Sequence, residues 1–314
     1  MGKIAFVFPG QGSQVVGMGQ DLANEYIEVA SIFNKADLKL EESLSSLIFN
    51  GPQDILTKTT NAQPALLTTS IAILEKFKES GITPDYVAGH SLGEYSALVA
   101  ADVLAFEDAV YLVRKRGEFM EEAVPAGQGT MAAVLGMESS LLEDITKSVE
   151  VDGDPVQLAN INCPGQIVIS GSARGVELAS LLAKEKGAKR VIPLEVSGPF
   201  HSSLMRPAAE RFTEVLSHCN LQDATIPMIA NVTAEPLTEG DVIKDKLVEQ
   251  LYSPVRWEES VLKMIELGVD TFVEIGPGKV LSGLIKKTNR KVTTHAINDL
   301  DSLHSTIQSL KGVN

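Results

Sequence analysis

The stretch Tyr86-Val87-Ala88-Gly89-His90-Ser91-Leu92-Gly93-Glu94 decides the fold class of this chain. Tyr86 to Gly89 reads as a short strand, and Leu92 to Ala101, rich in Ala and Leu, reads as a helix. Between them, Gly89-x-Ser91-x-Gly93 matches the elbow that swings a serine off the end of a strand with its hydroxyl exposed. Glycines two before and two after the serine relieve the crowding of so sharp a turn. The first amides of the following helix then face whatever the hydroxyl attacks. Three fixed positions at ordinary Gly and Ser frequencies give roughly 0.1 chance matches in a chain of this length. The pattern therefore draws its weight from lying between a strand and a helix; the alternative is a tight strand-to-helix turn without chemistry.

Outward from this turn the pattern is α/β. Ile4 to Phe8 reads as a buried strand stopped by Pro9-Gly10. Pro64 to Ser80 reads as a helix with Leu67, Ile71, Leu74 and Phe77 on one face and Gly81 after its end. Phe106 to Met120 is a further helix. The order then changes to strand Thr130–Leu135, helix Ser139–Val149, strands Val156–Ile161 and Ile167–Ser170 around Pro164-Gly165, helix Gly175–Lys186 and strand Arg190–Val196. That β-α-β-β-α-β order is ferredoxin-like. The α/β pattern resumes with strands at Ile226–Ala230, Thr271–Ile275 and Val292–Ile297, and a helix at Ser302–Leu310 closes it. The expectation is an α/β chain: a hydrolase-like main domain, 1–125 and 198–314, interrupted by a small ferredoxin-like subdomain, 126–197. A cleft between two such units suits a ligand.

Composition bounds the function. Among 314 residues, 44% are hydrophobic and 22% charged, which argues against disorder. A formal net charge of -14 argues against a nucleic-acid partner, whose phosphates need a basic surface. Cys163 and Cys219 form no C-x-x-C pair, so no metal site is expected, and reduced thiols point to the cytoplasm. No leader and no membrane-length apolar stretch is expected. Gly10-Gln11-Gly12 lacks the third glycine of a dinucleotide loop, and Gly276-Pro277-Gly278-Lys279 lacks the spacer of a P-loop. No cofactor is implied.

A serine nucleophile needs a base. Of the five histidines, His90 shares the serine's own turn and should point elsewhere, His218 lies in a polar helix, and His295 and His304 sit in a strand and a helix. His201 lies in Ser197-Gly198-Pro199-Phe200-His201-Ser202, at the insert boundary beside the expected cleft, and is the favoured general base and acid. Arg116 shares an otherwise apolar helix face with Ala109, Leu112 and Phe119. Two readings stand level: an arginine complementing the helix C-terminus, or a guanidinium held inward to grip a carboxylate.

Four blocks resemble the malonyl-CoA:acyl carrier protein transacylase family: Phe8-Pro9-Gly10-Gln11-Gly12-Ser13-Gln14, Gly89-His90-Ser91-Leu92-Gly93-Glu94, Arg116-Gly117-x-x-Met120 and Pro199-Phe200-His201-Ser202. Asn160-x-Asn162-x-Pro164-x-Gln166 and Gln250-Leu251 fit as well. The likeness runs in order along nearly the whole chain. It implies that Ser91 attacks a malonyl thioester, that His201 moves the proton, and that the amides of Gln11 and Leu92 form the oxyanion hole. It implies Arg116 for the malonyl carboxylate, Met120 and Phe200 for the acyl pocket, and a backbone carbonyl near Gln250 orienting His201 with Asn162 nearby. The partners implied are malonyl-CoA and acyl carrier protein, in fatty acid synthesis. A transferase of a polyketide pathway and a serine esterase or thioesterase remain the alternatives. Because carrier proteins are acidic, a local basic patch is expected among Lys186, Lys189, Arg190, Lys286, Lys287 and Arg290.

Overall fold

The computed structural model describes residues 2–125, 127–151 and 153–312. Strand β1 (Lys3–Phe8) is followed by helices α1 (Gln20–Glu25), α2 (Ile27–Leu40), α3 (Leu44–Asn50) and α4 (Gln53–Thr57), then by the long α5 (Thr59–Lys78). Strand β2 (Tyr86–Gly89) leads through Ser91 into α6 (Gly93–Ala100) and α7 (Phe106–Glu122). Next come β3 (Gly129–Leu135), α8 (Ser139–Val151), β4 (Val156–Cys163), β5 (Gln166–Ser172), α9 (Ala173–Glu185) and β6 (Arg190–Pro193). The chain finishes with α10 (Arg206–Ser217), β7 (Met228–Ile229), β8 (Pro236–Leu237), α11 (Gly240–Gln250), α12 (Trp257–Glu266), β9 (Val269–Ile275), α13 (Val280–Thr288), β10 (Thr293–Ile297) and α14 (Leu300–Lys311).

Six strands form one sheet in the order β10-β9-β1-β2-β7-β8. All its pairings are parallel except β7 with β8. Ala5 to Phe8 of β1 are all buried, because a central parallel strand carries helices on both faces. The second sheet is antiparallel, ordered β4-β5-β3-β6, the ferredoxin-like arrangement. One face is covered by α8 and α9 through Leu142, Ile145 and Val149 and through Val176, Ala179 and Ala183, each set at helical spacing. The outer edge of β4 is tied to the segment before α12: Ile161 N donates to Val255 O, and Val255 N to Ala159 O, at 2.9 and 2.8 Å.

The structure adjusts several expected elements. The helix placed at Pro64 begins at Thr59, so Pro64 stands inside it. Pro64 has no N–H for the Thr60 carbonyl, and Arg114 Nη1 donates to that oxygen instead, at 2.7 Å. A guanidinium from α7 thus completes the helix that proline interrupts. Strand β6 stops at Pro193 rather than Val196, since proline cannot extend the ladder, although Leu194 N still donates to Met131 O. The strand expected at Ile226–Ala230 shrinks to Met228–Ile229. Helices α1, α3 and α4 carry too few turns to leave a clear periodicity. The expected insert boundary falls at Ala126, which lies outside the described residues. No helix among the described residues is long and apolar enough to cross a membrane.

Candidate active site

β1 and β2 lie side by side in register, Phe8 opposite Gly89, so the loops leaving their carboxyl ends meet. His90 N donates to Phe8 O at 3.1 Å. The approach is too close for side chains. A Cβ on Gly93 would sit 2.1 Å from Phe8 O, and one on Gly10 would sit 2.3 Å from His90 O. These two glycines let the segment holding Gln11 rest against the turn holding Ser91. Ser91 itself adopts the left-handed φ of 51° between β2 and α6. Strain at a non-glycine residue persists only where its surroundings over-determine it, and here Asn231 does so. Its Oδ1 accepts from Ser91 N and its Nδ2 donates to Gly89 O, both at 2.7 Å. Asn231 follows β7, the strand beside β2.

Ser91 Oγ lies 2.8 Å from His201 Nε2. His201 is also left-handed, at φ 57°, just ahead of the 3-10 turn Ser203–Met205. Its Nδ1 lies 2.8 Å from the backbone oxygen of Gln250. A carbonyl can only accept, so Nδ1 carries the proton and Nε2 is left to accept the Ser91 hydroxyl. Gln250 is the last residue of α11. Its carbonyl belongs to the unsatisfied, partially negative end of that helix. A helix terminus therefore stands where a hydrolase would place a carboxylate. Burial first, and the Arg116 guanidinium second, pull the His201 pKa down to about 3. The ring is neutral at pH 7.

Arg116 is 1% exposed and reaches inward from α7. Gly117 makes the approach possible, since a Cβ there would stand 2.9 Å from Thr59 O of α5. Nη1 donates to Gln63 Oε1 at 2.8 Å, and Nη2 donates to Gln250 Oε1 at 2.7 Å and to Ser91 Oγ at 3.2 Å. Nε has no acceptor, and no carboxylate lies within ion-pair distance of Arg116 among the described residues. The guanidinium is thus held by neutral oxygens. Glu94, 1% exposed on α6, accepts from Asn231 N at 3.2 Å and from Gln250 Nε2. Burial raises its pKa to about 7 against the pull of those two donors and of Arg116.

These groups open onto a cavity of about 570 Å3 lined by Ser91, His201, Arg116, Gln11, Met120 and Phe200, and also by Asn160. Neither the Gln11 nor the Leu92 amide donates to an acceptor among the described residues. The Gln11 side chain turns aside to Thr59 Oγ1 at 3.1 Å. Asn162 is placed differently from expectation. Its Oδ1 meets His90 Nε2 at 2.8 Å rather than His201, and it is Asn160, two residues earlier on β4, that faces the cavity. Two residues apart on a strand, the two side chains share a face, and Asn162 lies one step further along it, against His90 of the β2–α6 turn. Gln63, Glu94 and Asn231 were not anticipated. Each is a polar residue whose partners lie far away in sequence, and although Glu94 closes the Gly89–Glu94 block, no local pattern gave any of the three a role.

The model of the acyl transferase domain family matches residues 5–306. A malonyl CoA-acyl carrier protein transacylase of Bacillus subtilis is 65% identical over 314 residues, all of this chain and 99% of that protein. The crystal structure of an acyl carrier protein S-malonyltransferase from Vibrio cholerae superposes with a TM-score of 0.95 at 45% identity, over 97% of this chain and 99% of that one. A malonyl-transacylase solved in complex with its type II PKS acyl-carrier protein gives a TM-score of 0.95 at 42% identity, over 98% and 99%. With its fold, its sequence and nearly its full length matched, this chain belongs to the acyl transferase family and, within it, to the malonyl CoA-acyl carrier protein transacylases.

Proposed function

We propose that the protein transfers a malonyl group from malonyl-CoA to the phosphopantetheine thiol of acyl carrier protein, through an ester on Ser91. The observation that carries this reading is the convergence on Ser91 Oγ of His201 Nε2 at 2.8 Å and the buried Arg116 at 3.2 Å. A nucleophile and base alone would serve any ester; a buried guanidinium without a carboxylate partner suits an acyl group that brings one.

In the first half-reaction Ser91 Oγ attacks the thioester carbonyl as His201 Nε2 takes its proton. The Gln11 and Leu92 amides receive the oxyanion. The carbon–sulfur bond breaks, and His201 returns the proton to the coenzyme A thiol. In the second, the carrier thiol gives its proton to His201 and attacks the ester, and Ser91 leaves protonated. The α11 terminus stabilises the imidazolium formed in each half. Met120 and Phe200 border the malonyl methylene. The elbow reading of Ser91 and the division into 1–125 with 198–314 and 126–197 belong to this proposal, as does residence in the cytoplasm, where free Cys163 and Cys219 stay reduced.

The carrier's docking surface is proposed at one end of the insert sheet. Leu135 pairs with both Arg190 and Gln166, Lys189 packs against Gly136, and Lys287 of α13 reaches Gln166 at 3.1 Å. Three basic residues from two segments far apart in sequence thus form one patch on an otherwise acidic protein. Supply of fatty acid synthesis is the favoured pathway; the likeness to the transacylase solved with a polyketide carrier supports service to a polyketide pathway as the second reading.

The test is the intact mass after brief incubation with malonyl-CoA and no carrier. One malonyl adduct, absent in Ser91→Ala and weakened with acetyl-CoA or in Arg116→Ala, is expected. Rapid release of coenzyme A with no adduct would point to a hydrolase.

A further inference from the structure

Glu94 is buried, bears no ion pair among the described residues, and takes no part in the chemistry above. Its surroundings define a task. Oε1 faces Asn231 N, and Oε2 faces Gln250 Nε2. Both neighbours are donors, and each carboxylate oxygen is used. The Gln250 carboxamide is in turn fully committed. Its Nε2 donates to Glu94 and to Ser91 O at 3.0 Å, and its Oε1 accepts from Arg116. Turning that amide over would set NH2 against guanidinium and oxygen against carboxylate, so Glu94 joins Arg116 and Ser91 O in fixing which way Gln250 points.

Resting on the malonyl-transfer reading, we infer that Glu94 is a positioning residue for acyl selectivity: it fixes the Gln250 amide with its oxygen toward Arg116. The device explains how an arginine with no carboxylate in contact stays buried and correctly aimed. A directly paired carboxylate would compete with the acyl group for the same fork. A carboxyl group set behind a neutral amide orients the guanidinium and leaves the fork available. Glu94 reaches the serine turn only through Gln250 Nε2 on Ser91 O, while Ser91 N and Gly89 O are held independently by the Asn231 side chain.

The isostere Glu94→Gln tests this. The substituted carboxamide has one acceptor oxygen for two donors, so either the Asn231 N–H or the Gln250 NH2 loses its partner, and the Gln250 amide is held less firmly, by Arg116 and Ser91 O alone. The measurements are Ser91 acylation by malonyl-CoA and by acetyl-CoA, and Ser91 phosphonylation by a neutral fluorophosphonate. We expect kcat/KM for malonyl-CoA to fall about ten-fold or more, the worth of one charge-assisted hydrogen bond, mostly through KM. Acetyl transfer and phosphonylation should change by less than about two-fold, since neither uses the fork. Glu94→Asp, which keeps the charge, should lie between. Malonyl kinetics equal to wild type would overturn the inference. So would a parallel fall in all three reactions, or failure of both variants to fold, since either would make Glu94 a structural residue. A wild-type enzyme that does not prefer malonyl to acetyl would instead sink the malonyl reading, whatever Glu94 does.

Discussion

The surroundings of His201 predict an unusual pH profile for acylation. An imidazole with the ordinary pKa of about 6.5 is neutral in only about one molecule in eleven at pH 5.5, so a base of that kind would lose roughly ten-fold in rate between pH 7.5 and 5.5. In this protein burial, and then Arg116, pull the His201 pKa to about 3. At pH 5.5 the ring is still almost wholly neutral, and kcat/KM for Ser91 acylation should stay flat down to about pH 5. The assay is single-turnover acylation by acetyl-CoA, which keeps the malonyl carboxylate out of the titration, with the enzyme held at pH 7.5 and jumped to each test pH. Arg116→Ala removes the second cause of the shift, so its profile should bend at a higher pH than that of the wild type. A wild-type profile with an inflection near 6.5, or an Arg116→Ala profile that does not move, would refute this account of His201.

The same shift makes stability acid-sensitive. His201 is held neutral in the fold but titrates near 6.5 when unfolded, so its contribution is complete above about 6.5 and is lost as pH falls toward about 3. By pH 5 the loss is about 2 kcal/mol, and His201→Gln should show a shallower decline of stability over that interval in urea titrations. Arg114→Leu strands the Thr60 carbonyl that Pro64 leaves without a donor, and should cost about 1–3 kcal/mol in thermal unfolding. The double variant with Pro64→Ala should recover part of that, because residue 64 regains its N–H; additive losses would contradict the account. Phe200, 6% exposed and lining the cavity, should when changed to serine admit methylmalonyl-CoA, and unchanged selectivity between the two acyl groups would remove it from the pocket wall. Reversing Lys189 and Arg190 to Glu should raise KM for the carrier protein while sparing malonyl-CoA, and an unaltered carrier KM would exclude that patch.

How much of this was legible in the sequence varies with the range of the interaction. Tyr86–Gly89 was readable to the residue because a short apolar strand running into Gly89-x-Ser91-x-Gly93 is a local signal. Helical spacing put Arg116 on the same face as Ala109, Leu112 and Phe119 but left level whether it turned inward or served the helix C-terminus; burial decided that. The β-α-β-β-α-β order was readable because two amphipathic helices and a Pro164-Gly165 turn punctuate it. The helix start at Thr59 was misread, because proline marks a first helical turn, whereas here an arginine on another helix lets Pro64 stand inside.

What the chain alone determined, then, is the material that acts over a few residues: the strand–serine–helix turn, the periodicities, and a set of blocks whose order marks the family. Only the tertiary structure decided what those residues do to one another. Ser91 meets His201 across 110 positions, and Gln250 reaches Ser91 across 159, to join Ser91, Glu94, Arg116 and His201. No local rule encodes a hydrogen bond between distant side chains. It exists because the sheet brings the carboxyl ends of parallel strands together and α11 ends, with its unsatisfied carbonyl, opposite them.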